Sequence, residues 1–482
     1  MTAATAAAEP GLLRRIVEDY WEGLKAVFGC PREIWIAYAV KVLESLCYFS
    51  SVLVLMIFLT EDMGLSDPMA GTVFGIFSAS MSFFMLFVGF VADSMGIKRA
   101  LLVGLVFALV GRLLITFTVS PWVVYPGLFV LSVGFAYMIP LLAAAVKLFS
   151  TKKAQKYAFS WYYVIMNVGA LVAGLSLDVL RATFTEPLAI ELGGLALSVR
   201  PLQMIFLVAV VATLVSLVLV AFFVRSHIPE LDAERLEEER AAEADAAKPA
   251  DEPGAHAQKQ TEASAPAKPR KKSSWQVMKE VTSEKTFWIF ITFIFLLVLV
   301  KMIFQYNHSL YPVYMERMGM AEWTGRLYAI NPLIIIFLVP VVTSVTAKMQ
   351  GYKVIVVGTF VSAASVFVLG LGEAIALIIV FQVVLSFGEA LYSPRLYDYT
   401  ASIAPPGKEA SYMAYSKAPM FFAKVAAGPA TGFLLASFCP EEGQRNTELM
   451  WIIVGASTML SPIALLLGWR WLDVEGRKKR EA

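Results

Sequence analysis

The sequence predicts an all-α polytopic membrane protein in which twelve transmembrane helices form two six-helix, pseudo-symmetric halves. Three observations support this fold class: an apolar composition, twelve apolar segments of sufficient length, and a weak repeat between the two parts of the chain. The 482 residues are 58% hydrophobic and 16% charged, and their mean hydropathy is +0.67. Because a soluble domain carries about 25% charged residues, a lipid bilayer is the environment that fits this composition.

The twelve apolar segments are long enough to cross a membrane, since a crossing helix needs roughly 20 mostly apolar residues. Numbered one to twelve in chain order, the predicted spans are Ile34–Leu59, Met69–Ala92, Ala100–Phe117, Trp122–Val146, Ala158–Leu180, Pro201–Val224, Phe287–Tyr314, Leu327–Ala347, Val354–Leu371, Ala374–Ser393, Ser411–Ser437 and Leu449–Trp471. The even number predicts that both termini lie on the same side of the membrane.

The distribution of basic residues predicts which side that is. Lysine and arginine follow the second, fourth and eighth spans, as at Lys98, Lys152 and Lys353, whereas the opposite loops carry acids such as Glu61 and Glu441. By the positive-inside rule both termini are cytoplasmic. A helical bundle fits an inner rather than an outer bacterial membrane, so a multi-pass inner-membrane protein is predicted.

Five regions are predicted along the chain. They are a cytoplasmic N-terminus with an amphipathic helix (1–33), an N-terminal six-helix bundle (34–225), a largely disordered cytoplasmic linker (226–285), a C-terminal six-helix bundle (286–472) and a basic cytoplasmic tail (473–482). Apolar residues recur along one face from Leu12 to Phe28, which is typical of a helix lying on the membrane surface; a leader without function is the alternative. The linker is rich in Ala, Glu, Lys and Pro and cannot bury a core.

A weak repeat relates the two bundles. Two pairs of short stretches lie 255 residues apart, and a third pair has nearly the same offset. The pairs are Glu61–Gly64 with Glu316–Gly319, Gly96–Lys98 with Gly351–Lys353, and Ala158–Ser160 with Ala414–Ser416. Because the matches share their offset and their place in the topology, they indicate two parallel six-helix repeats, as in transporters that rock about a central site.

The loop between spans two and three carries a gating motif. Residues Gly89–Arg99 read G-F-V-A-D-S-M-G-I-K-R, which resembles the G-x-x-x-D-R-x-G-R-K loop signature of the major facilitator superfamily. The candidate gating residues are Gly89, Asp93, Gly96, Lys98 and Arg99. Glycine permits close helix contact, and the charged groups can bridge to neighbouring helix ends. Ser94 replaces the arginine of the signature, which predicts a weaker latch. The resemblance implies the major facilitator fold.

Three further stretches resemble the proton-dependent oligopeptide transporter family. Phe159–Ala170 is similar to the family's F-x-x-F-Y-x-x-I-N-x-G-S/A signature in span five. Gly388–Pro394, followed by Ala404-Pro405, is similar to its E-x-L-x-S-P…A-P segment in span ten. Glu44–Thr60 aligns without gaps to its E-R-F-S-F-Y…L-T segment in span one. This resemblance implies proton-coupled uptake of short peptides, with Glu389 binding the amino end of the substrate or relaying charge.

The chain departs from this family at positions that carry function there. The family's E-x-x-E-R motif of span one reads K-V-L-E-S here, so that Lys41 replaces a carboxylate and Ser45 replaces an arginine. The family's lysine before proline in span four is Ile139. Since the family uses these groups for proton coupling and for the peptide carboxylate, the sequence indicates a divergent branch that differs in substrate or coupling.

Ionisable residues at mid-membrane are costly and therefore mark candidate sites. Lys41 and Glu44 lie one turn apart on one helix face and are expected to pair. The full set of substrate or proton-coupling candidates is Lys41, Glu44, Tyr48, Arg112, Tyr163, Asn167, Lys301, Gln305, Asn307, Glu389 and Lys424. For the charged members the alternative is a structural ion pair, and for the aromatic members plain packing. His308 is interpreted as a proton-sensitive gate or an interfacial histidine, and Asp178 as a solvated carboxylate.

These observations predict a secondary transporter that works by alternating access, with proton-coupled uptake of short peptides or related carboxylate-bearing small solutes. The alternative is a facilitator or exchanger for another solute without proton coupling, and a non-transporting sensor is a third reading. An enzyme is not expected, because no phosphate loop, metal-ligand spacing or nucleophile motif is present. No cofactor, metal or nucleic-acid partner is expected; the predicted partners are a small solute, H⁺ and the lipid bilayer, and the chain is expected to function as a monomer.

Overall fold

The computed structural model describes residues 21–22, 25–192, 195–225, 282–346, 349–403, 418–474 and 476. Within these residues twelve helices are long and apolar enough to cross a membrane. This finding confirms the predicted all-α polytopic fold. Most of the predicted Leu12–Phe28 helix, the linker from 226 to 281 and the basic tail from 477 lie outside the described residues. The five-region division of the chain therefore stays a prediction.

The first six spans are continuous helices that agree with the predicted segments to within a few residues at most ends. They are Arg32–Ile57 with a π-helical extension Phe58–Asp62, Asp67–Met95, Ile97–Thr116, Pro121–Phe149, Lys152–Thr183, and Gln203–Val218 with a π-helical extension Leu219–Phe223. Span five begins at Lys152 rather than Ala158, because the Thr151 side chain caps the helix by accepting from the Ala154 amide at 3.4 Å. Capping extends a helix beyond its apolar stretch.

The last six spans include one that is divided. They are Lys285–Leu296 and Val298–Arg317 (together span seven), Thr324–Val345, Gly351–Leu369, Ile375–Ile403, Ala418–Phe438 and Thr447–Leu467. A short helix, Trp469–Leu472, follows span twelve. Beyond it Asp473 is buried and accepts a hydrogen bond from the Gln350 amide at 2.6 Å. The start of the predicted tail is therefore packed against the beginning of span nine.

A β-hairpin between spans five and six was not predicted. Strand β1 (Leu188–Leu192) pairs antiparallel with β2 (Leu195–Val199), with Leu188 opposite Val199. Residues Gly193 and Gly194, which separate the two strands in the sequence, lie outside the described residues. Short β-branched and leucine-rich runs around a Gly-Gly pair are typical of hairpins. Each run is much shorter than the roughly 20 residues of a membrane-crossing helix, so hydropathy does not reveal it.

The same neighbours recur in the two sets of six spans. Spans one and five pack together as spans seven and eleven do, spans three and four as nine and ten do, and spans three and six as nine and twelve do. We call spans one to six the N-half and spans seven to twelve the C-half. The halves meet through three pairs of spans: two with eleven, five with eight, and one with seven.

Where spans two and eleven cross, glycines allow the two backbones to touch. A Cβ atom on Gly71 would lie 2.9 Å from the Gly432 amide nitrogen and 3.0 Å from its Cα. On the other helix, a Cβ atom on Gly428 would lie 2.6 Å from the Gly75 Cα. Apolar burial does not drive helices together in lipid, so they associate through close van der Waals packing, which small residues at such crossings permit. The two helices therefore approach closely at this end of the halves, where Asp67 begins span two.

We expect Gly71→Val to weaken the contact between the halves, since its side chain has no space on the facing backbone of span eleven. Overpacking of this kind costs about 1–3 kcal/mol. The apparent melting temperature of the purified protein in detergent should fall measurably. The neighbouring Thr72 is exposed on the same helix, so Thr72→Val is the matched control and should leave the melting temperature unchanged. Equal melting temperatures for the two variants would contradict the prediction.

Candidate functional site

Lys41 and Glu44 form a buried ion pair in span one. The Lys41 Nζ atom lies 2.8 Å from Glu44 Oε2, and the two side chains are only 4% and 3% exposed. The ammonium also lies 5.2 Å from the centre of the Tyr162 ring in span five. The expected pairing is thus confirmed, and the lysine does not reach the membrane surface. The second carboxylate oxygen of Glu44 has no hydrogen-bond partner among the described residues.

Glu389 occupies a polar site that reaches across the two halves. Its Oε2 atom accepts a hydrogen bond from the Asn331 amide of span eight at 3.1 Å, and Asn331 also donates to Ser386 at 3.0 Å. The carboxylate further interacts with the Tyr163 hydroxyl of span five and with the charge of Lys301 of span seven. Four spans therefore converge on this site, and one of them belongs to the N-half.

Lys424 and Tyr48 form a second contact between the halves. The Lys424 Nζ atom of span eleven donates to the Tyr48 hydroxyl of span one at 3.4 Å. His308 of span seven lies within electrostatic reach of Lys424, and its Nε2 atom is 3.0 Å from the Tyr328 hydroxyl. The imidazole is also 5.8 Å from the ring of Phe49 in the N-half. His308 thus faces the opposite half and not, as one interpretation of the sequence had it, the membrane interface.

The remaining candidates make contacts inside one half. Arg112 donates to the Thr213 hydroxyl at 2.5 Å, and its guanidinium lies 5.1 Å from the Phe135 ring. Both partners belong to the N-half, which supports the structural alternative for Arg112. Asn307 accepts from the Gln382 amide at 3.1 Å within the C-half.

Asn167 and Gln305 also form hydrogen bonds within their own halves of the molecule. Asn167 donates to the Tyr163 backbone carbonyl of its own helix at 2.9 Å. Gln305 donates to the sulfur of Met420 at 3.3 Å, within the C-half. Both side chains are buried. Asn167 therefore supports the candidate site through the backbone of Tyr163, and Gln305 through the start of span eleven.

Among the described residues, two two-pronged ion pairs join the halves at the end where Asp67 begins span two. Arg317 of span seven holds Asp67 with bonds of 2.6 and 2.9 Å. Arg181 of span five holds Glu316 with two bonds of 2.6 Å. We call these the inter-half ion pairs. Both are two-pronged arginine–carboxylate contacts, the strongest class of charge-assisted hydrogen bond. The predicted orientation places them at the outer end of the halves.

Asp178 strengthens the same end of the molecule. It is buried, and its two carboxylate oxygens accept from the Gly325 and Arg326 backbone amides at 2.7 Å each. These amides open the span-eight helix, where unpaired N–H groups favour an anion. The interpretation of Asp178 as a solvated carboxylate was therefore wrong. Its partners come from the other half, so their proximity cannot be inferred from span five alone.

The gating loop is described in part. Gly96 has φ +82°, the left-handed conformation that favours glycine, and it directly precedes span three. Lys98 and Arg99 lie in the first turn of that helix, where Arg99 is exposed. Gly89 and Asp93 lie near the end of span two, and their side-chain surroundings are outside the described part of the chain. A latch formed by this loop stays a prediction.

Sequence analysis missed several residues that the structure places between the halves. They are Asp67, Arg181, Glu316, Arg317, Tyr328 and Asn331. The first four lie at helix ends, where charged residues are ordinarily solvated. The one available signal was the Glu61–Gly64 and Glu316–Gly319 repeat, which marks equivalent outer ends of the two halves. The repeat does not indicate which residues meet.

We expect Arg317→Gln to separate the outer ends of the halves, because it leaves Asp67 without its two-pronged partner. Spin labels at the exposed Ser66 and Glu442 would measure the separation by pulsed electron resonance. The distance distribution should gain a longer component. Arg200→Gln is the matched control, since Arg200 bonds to Asp62 within the N-half. A distribution identical to that of the unsubstituted protein would contradict a latching role.

We expect Glu44→Gln to destabilise the protein because Lys41 then stays buried without a counter-charge. Removing one partner of a buried pair costs about 3–5 kcal/mol, whereas replacing both by apolar residues is often neutral. The double variant Lys41→Met/Glu44→Leu should therefore be more stable than Glu44→Gln alone. Unfolding in detergent, followed by intrinsic fluorescence, measures both. If Glu44→Gln were the more stable variant, Lys41 and Glu44 would not depend on each other for charge compensation.

The comparisons with known proteins agree with this architecture. The family model described as the Major Facilitator Superfamily matches residues 42–375. The chain is 24% identical over 170 residues to dipeptide and tripeptide permease A of Pectobacterium carotovorum, a match covering 34% of this chain and 33% of the relative. It is 25% identical over 181 residues to the permease of that name from Proteus mirabilis, covering 36% and 37%. The match thus spans about a third of the length of these curated relatives.

Solved structures resemble the whole chain. A POT family transporter in complex with a thioalcohol-conjugated peptide superposes with a TM-score of 0.68 at 17% identity, covering 93% of this chain and 98% of that one. A POT family transporter in complex with 5-aminolevulinic acid gives 0.67 at 17% identity, covering 92% and 97%. At these identities the likeness concerns the fold. With the family model matching more than half of its length, the chain belongs to the Major Facilitator Superfamily.

Proposed function

We propose that this chain is a secondary transporter that works by alternating access and takes up short peptides or related carboxylate-bearing small solutes, coupled to protons. The observation that carries the proposal is that a carboxylate and a lysine of the C-half each contact a tyrosine of the N-half. Glu389 contacts Tyr163 of the N-half, and Lys424 contacts Tyr48. Solute contacts that span two rocking halves are the usual basis of alternating access.

The contacts between the halves support a conformation closed at the predicted outer end. The inter-half ion pairs, Asp178 and the glycine crossing of spans two and eleven all lie at that end. A solute would then enter or leave the central groups from the predicted cytoplasmic side. For transport, these contacts must separate in the opposite conformation, and ion pairs separate at lower cost than a continuous apolar seam because water solvates the freed charges.

The relatives support the substrate class. Two of the curated relatives are named for dipeptides and tripeptides, and similar structures hold a conjugated peptide and 5-aminolevulinic acid. These ligands share a small size and polar groups at separate positions. We extend this class to the present chain because Glu389 and Lys424 offer charges of both signs to such a solute.

Proton coupling is assigned to Glu389 first and to Glu44 second. Both carboxylates lie inside the membrane-spanning bundle, where a carboxyl group can be held in either state by its surroundings. Glu389 contacts both halves, so its protonation is able to change how they fit together. We further propose an inner-membrane location with both termini cytoplasmic and a monomer embedded in lipid as the working unit.

A facilitator or exchanger without proton coupling is the second candidate. It is favoured by the Lys41–Glu44 pair, because an internal lysine satisfies the carboxylate at the position where the similar peptide transporters have E-x-x-E-R. A carboxylate that is held in an ion pair is kept deprotonated by its partner and does not bind and release a proton during the transport cycle. The two candidates differ in whether a proton gradient drives accumulation.

We expect purified protein in proteoliposomes to accumulate labelled dialanine under an inward proton gradient and to lose accumulation when an uncoupler is added. Glu389→Gln should lower gradient-driven uptake by roughly tenfold or more, the effect of one charge-assisted contact. Glu373→Gln is the matched control, because Glu373 is exposed in the loop before span ten. Equal exchange in both directions without accumulation would favour the facilitator, and gradient-driven uptake that survives Glu44→Gln would remove that residue from the coupling mechanism.

A further inference from the structure

Lys424 is a buried cation whose described contacts include no carboxylate. The residue is 7% exposed and lies in span eleven. Its ammonium donates to the Tyr48 hydroxyl at 3.4 Å and lies 5.7 Å from the centre of the same ring. Burying a cation away from water is costly unless an opposite charge compensates it. Among the described residues, no carboxylate lies within ion-pair distance of Lys424, and its hydrogen-bond partner is the neutral Tyr48.

Other cations inside the described spans have partners within the protein; Lys41 and Arg112 are buried, and Lys301 is half-buried. Lys41 pairs with Glu44 at 2.8 Å, and Lys301 acts on the charge of Glu389. Arg112 is held by Thr213 and Phe135 inside the N-half. Lys424 differs from Lys41 and Lys301 because the described residues provide no carboxylate that acts on it, and from Arg112 because it contacts the opposite half. An anion that enters between the halves would provide it.

The neighbours of Lys424 suit a carboxylate. The Tyr48 hydroxyl carries a hydrogen that can point toward an oxygen. The His308 imidazole bonds to the Phe304 backbone, and it shares one hydrogen with the Tyr328 hydroxyl. His308 and Tyr328 are already joined at 3.0 Å, which fixes their relative position. Tyr328 also interacts electrostatically with both Tyr48 and Glu389. Tyr328 is therefore within electrostatic reach of both Tyr48, which bonds to Lys424, and Glu389.

We infer that Lys424, with Tyr48, His308 and Tyr328, forms the subsite that binds the carboxylate of the transported solute. The inference deepens the proposed function and rests on it for the identity of the solute. A bound carboxylate neutralises Lys424 and forms a charge-assisted hydrogen bond with it. The solute then lies across Tyr328 with its amine toward Glu389. The anion subsite of this chain is thus in spans seven, eight and eleven, with Tyr48 of span one opposite.

The subsite also accounts for the two missing basic groups of span one and span four. Ser45 and Ile139 stand where the similar peptide transporters have a basic residue. Ser45 is buried and Ile139 packs against the apolar core. Neither can carry positive charge, and Lys41 is neutralised by Glu44. Among the residues described between the halves, the site for the negative end of a solute has therefore moved from the N-half to the C-half.

The test compares ligands that differ only in a carboxylate. Two acid–amide pairs are titrated calorimetrically into the full chain in lipid nanodiscs. The first pair is dialanine and dialaninamide, and the second is N-acetylalanine and N-acetylalaninamide. The unsubstituted protein should bind each acid at least about tenfold more tightly than its amide. Lys424→Gln should reduce that ratio to about one, and Lys424→Arg should keep most of it because it keeps the charge. Lys301→Gln is the matched control and should keep the acid-to-amide ratio even where overall affinity falls.

The outcomes separate this inference from the proposed function. Three results would overturn the subsite. They are an acid-to-amide affinity ratio that Lys424→Gln leaves unchanged, an unsubstituted protein without preference for the acids, and the absence of binding by either pair of ligands. If dialanine does not bind but N-acetylalanine binds with a ratio that depends on Lys424, the peptide proposal fails and the subsite stands. Should Lys424→Gln not fold, methyl-¹³C labelling of lysines gives the readout. The resonance absent in Lys424→Arg must then shift with dialanine and not with its amide.

Discussion

The structure depends on one constraint, which is that a charge inside the bilayer must find its partner within the protein. Glu44 forms an ion pair with Lys41 in the N-half, and the charge of Lys301 acts on Glu389 in the C-half. The first is an ion pair within span one, whereas Glu389 is reached by groups from spans five, seven and eight and so connects four helices. Lys424 is the exception among the residues described between the halves. The constraint explains both why so few ionisable residues occur in the spans and why those that do occur point inward.

The contacts between the halves combine two kinds of interaction with different consequences. Gly71 and Gly428 bring backbones together over a short length, which fixes where the halves touch. The inter-half ion pairs add strength only while the ends stay together, because separated charges at a helix end regain water. Such a contact stabilises one conformation, and breaking it costs little free energy because the separated charges are hydrated. That combination suits a molecule whose proposed work requires two conformations of similar free energy.

Compared with the peptide transporters whose fold it shares, this chain has redistributed charge rather than lost it. The carboxylate of span ten is retained as Glu389, whereas the basic groups of spans one and four are replaced by Ser45 and Ile139. Lys41 adds a charge that cancels Glu44. If the proposed function holds, the N-half offers the solute mostly aromatic hydroxyl groups and the C-half offers charges of both signs. A shift of this sort changes which end of a dipolar solute each half holds, without changing the fold.

The sequence by itself determined the number and type of helices, the two-half organisation and the pairing of Lys41 with Glu44, because these follow from hydropathy, from the repeat and from spacing along one helix. Local spacing carries no information about which helix faces which, so the partners of Asp178, Arg181 and Arg317 were decided by how distant spans pack together. For the same reason the sequence placed Arg112 and Lys424 in one class of mid-membrane cations. The tertiary structure separated them by giving Arg112 partners within its own half and directing Lys424 across the space between the halves.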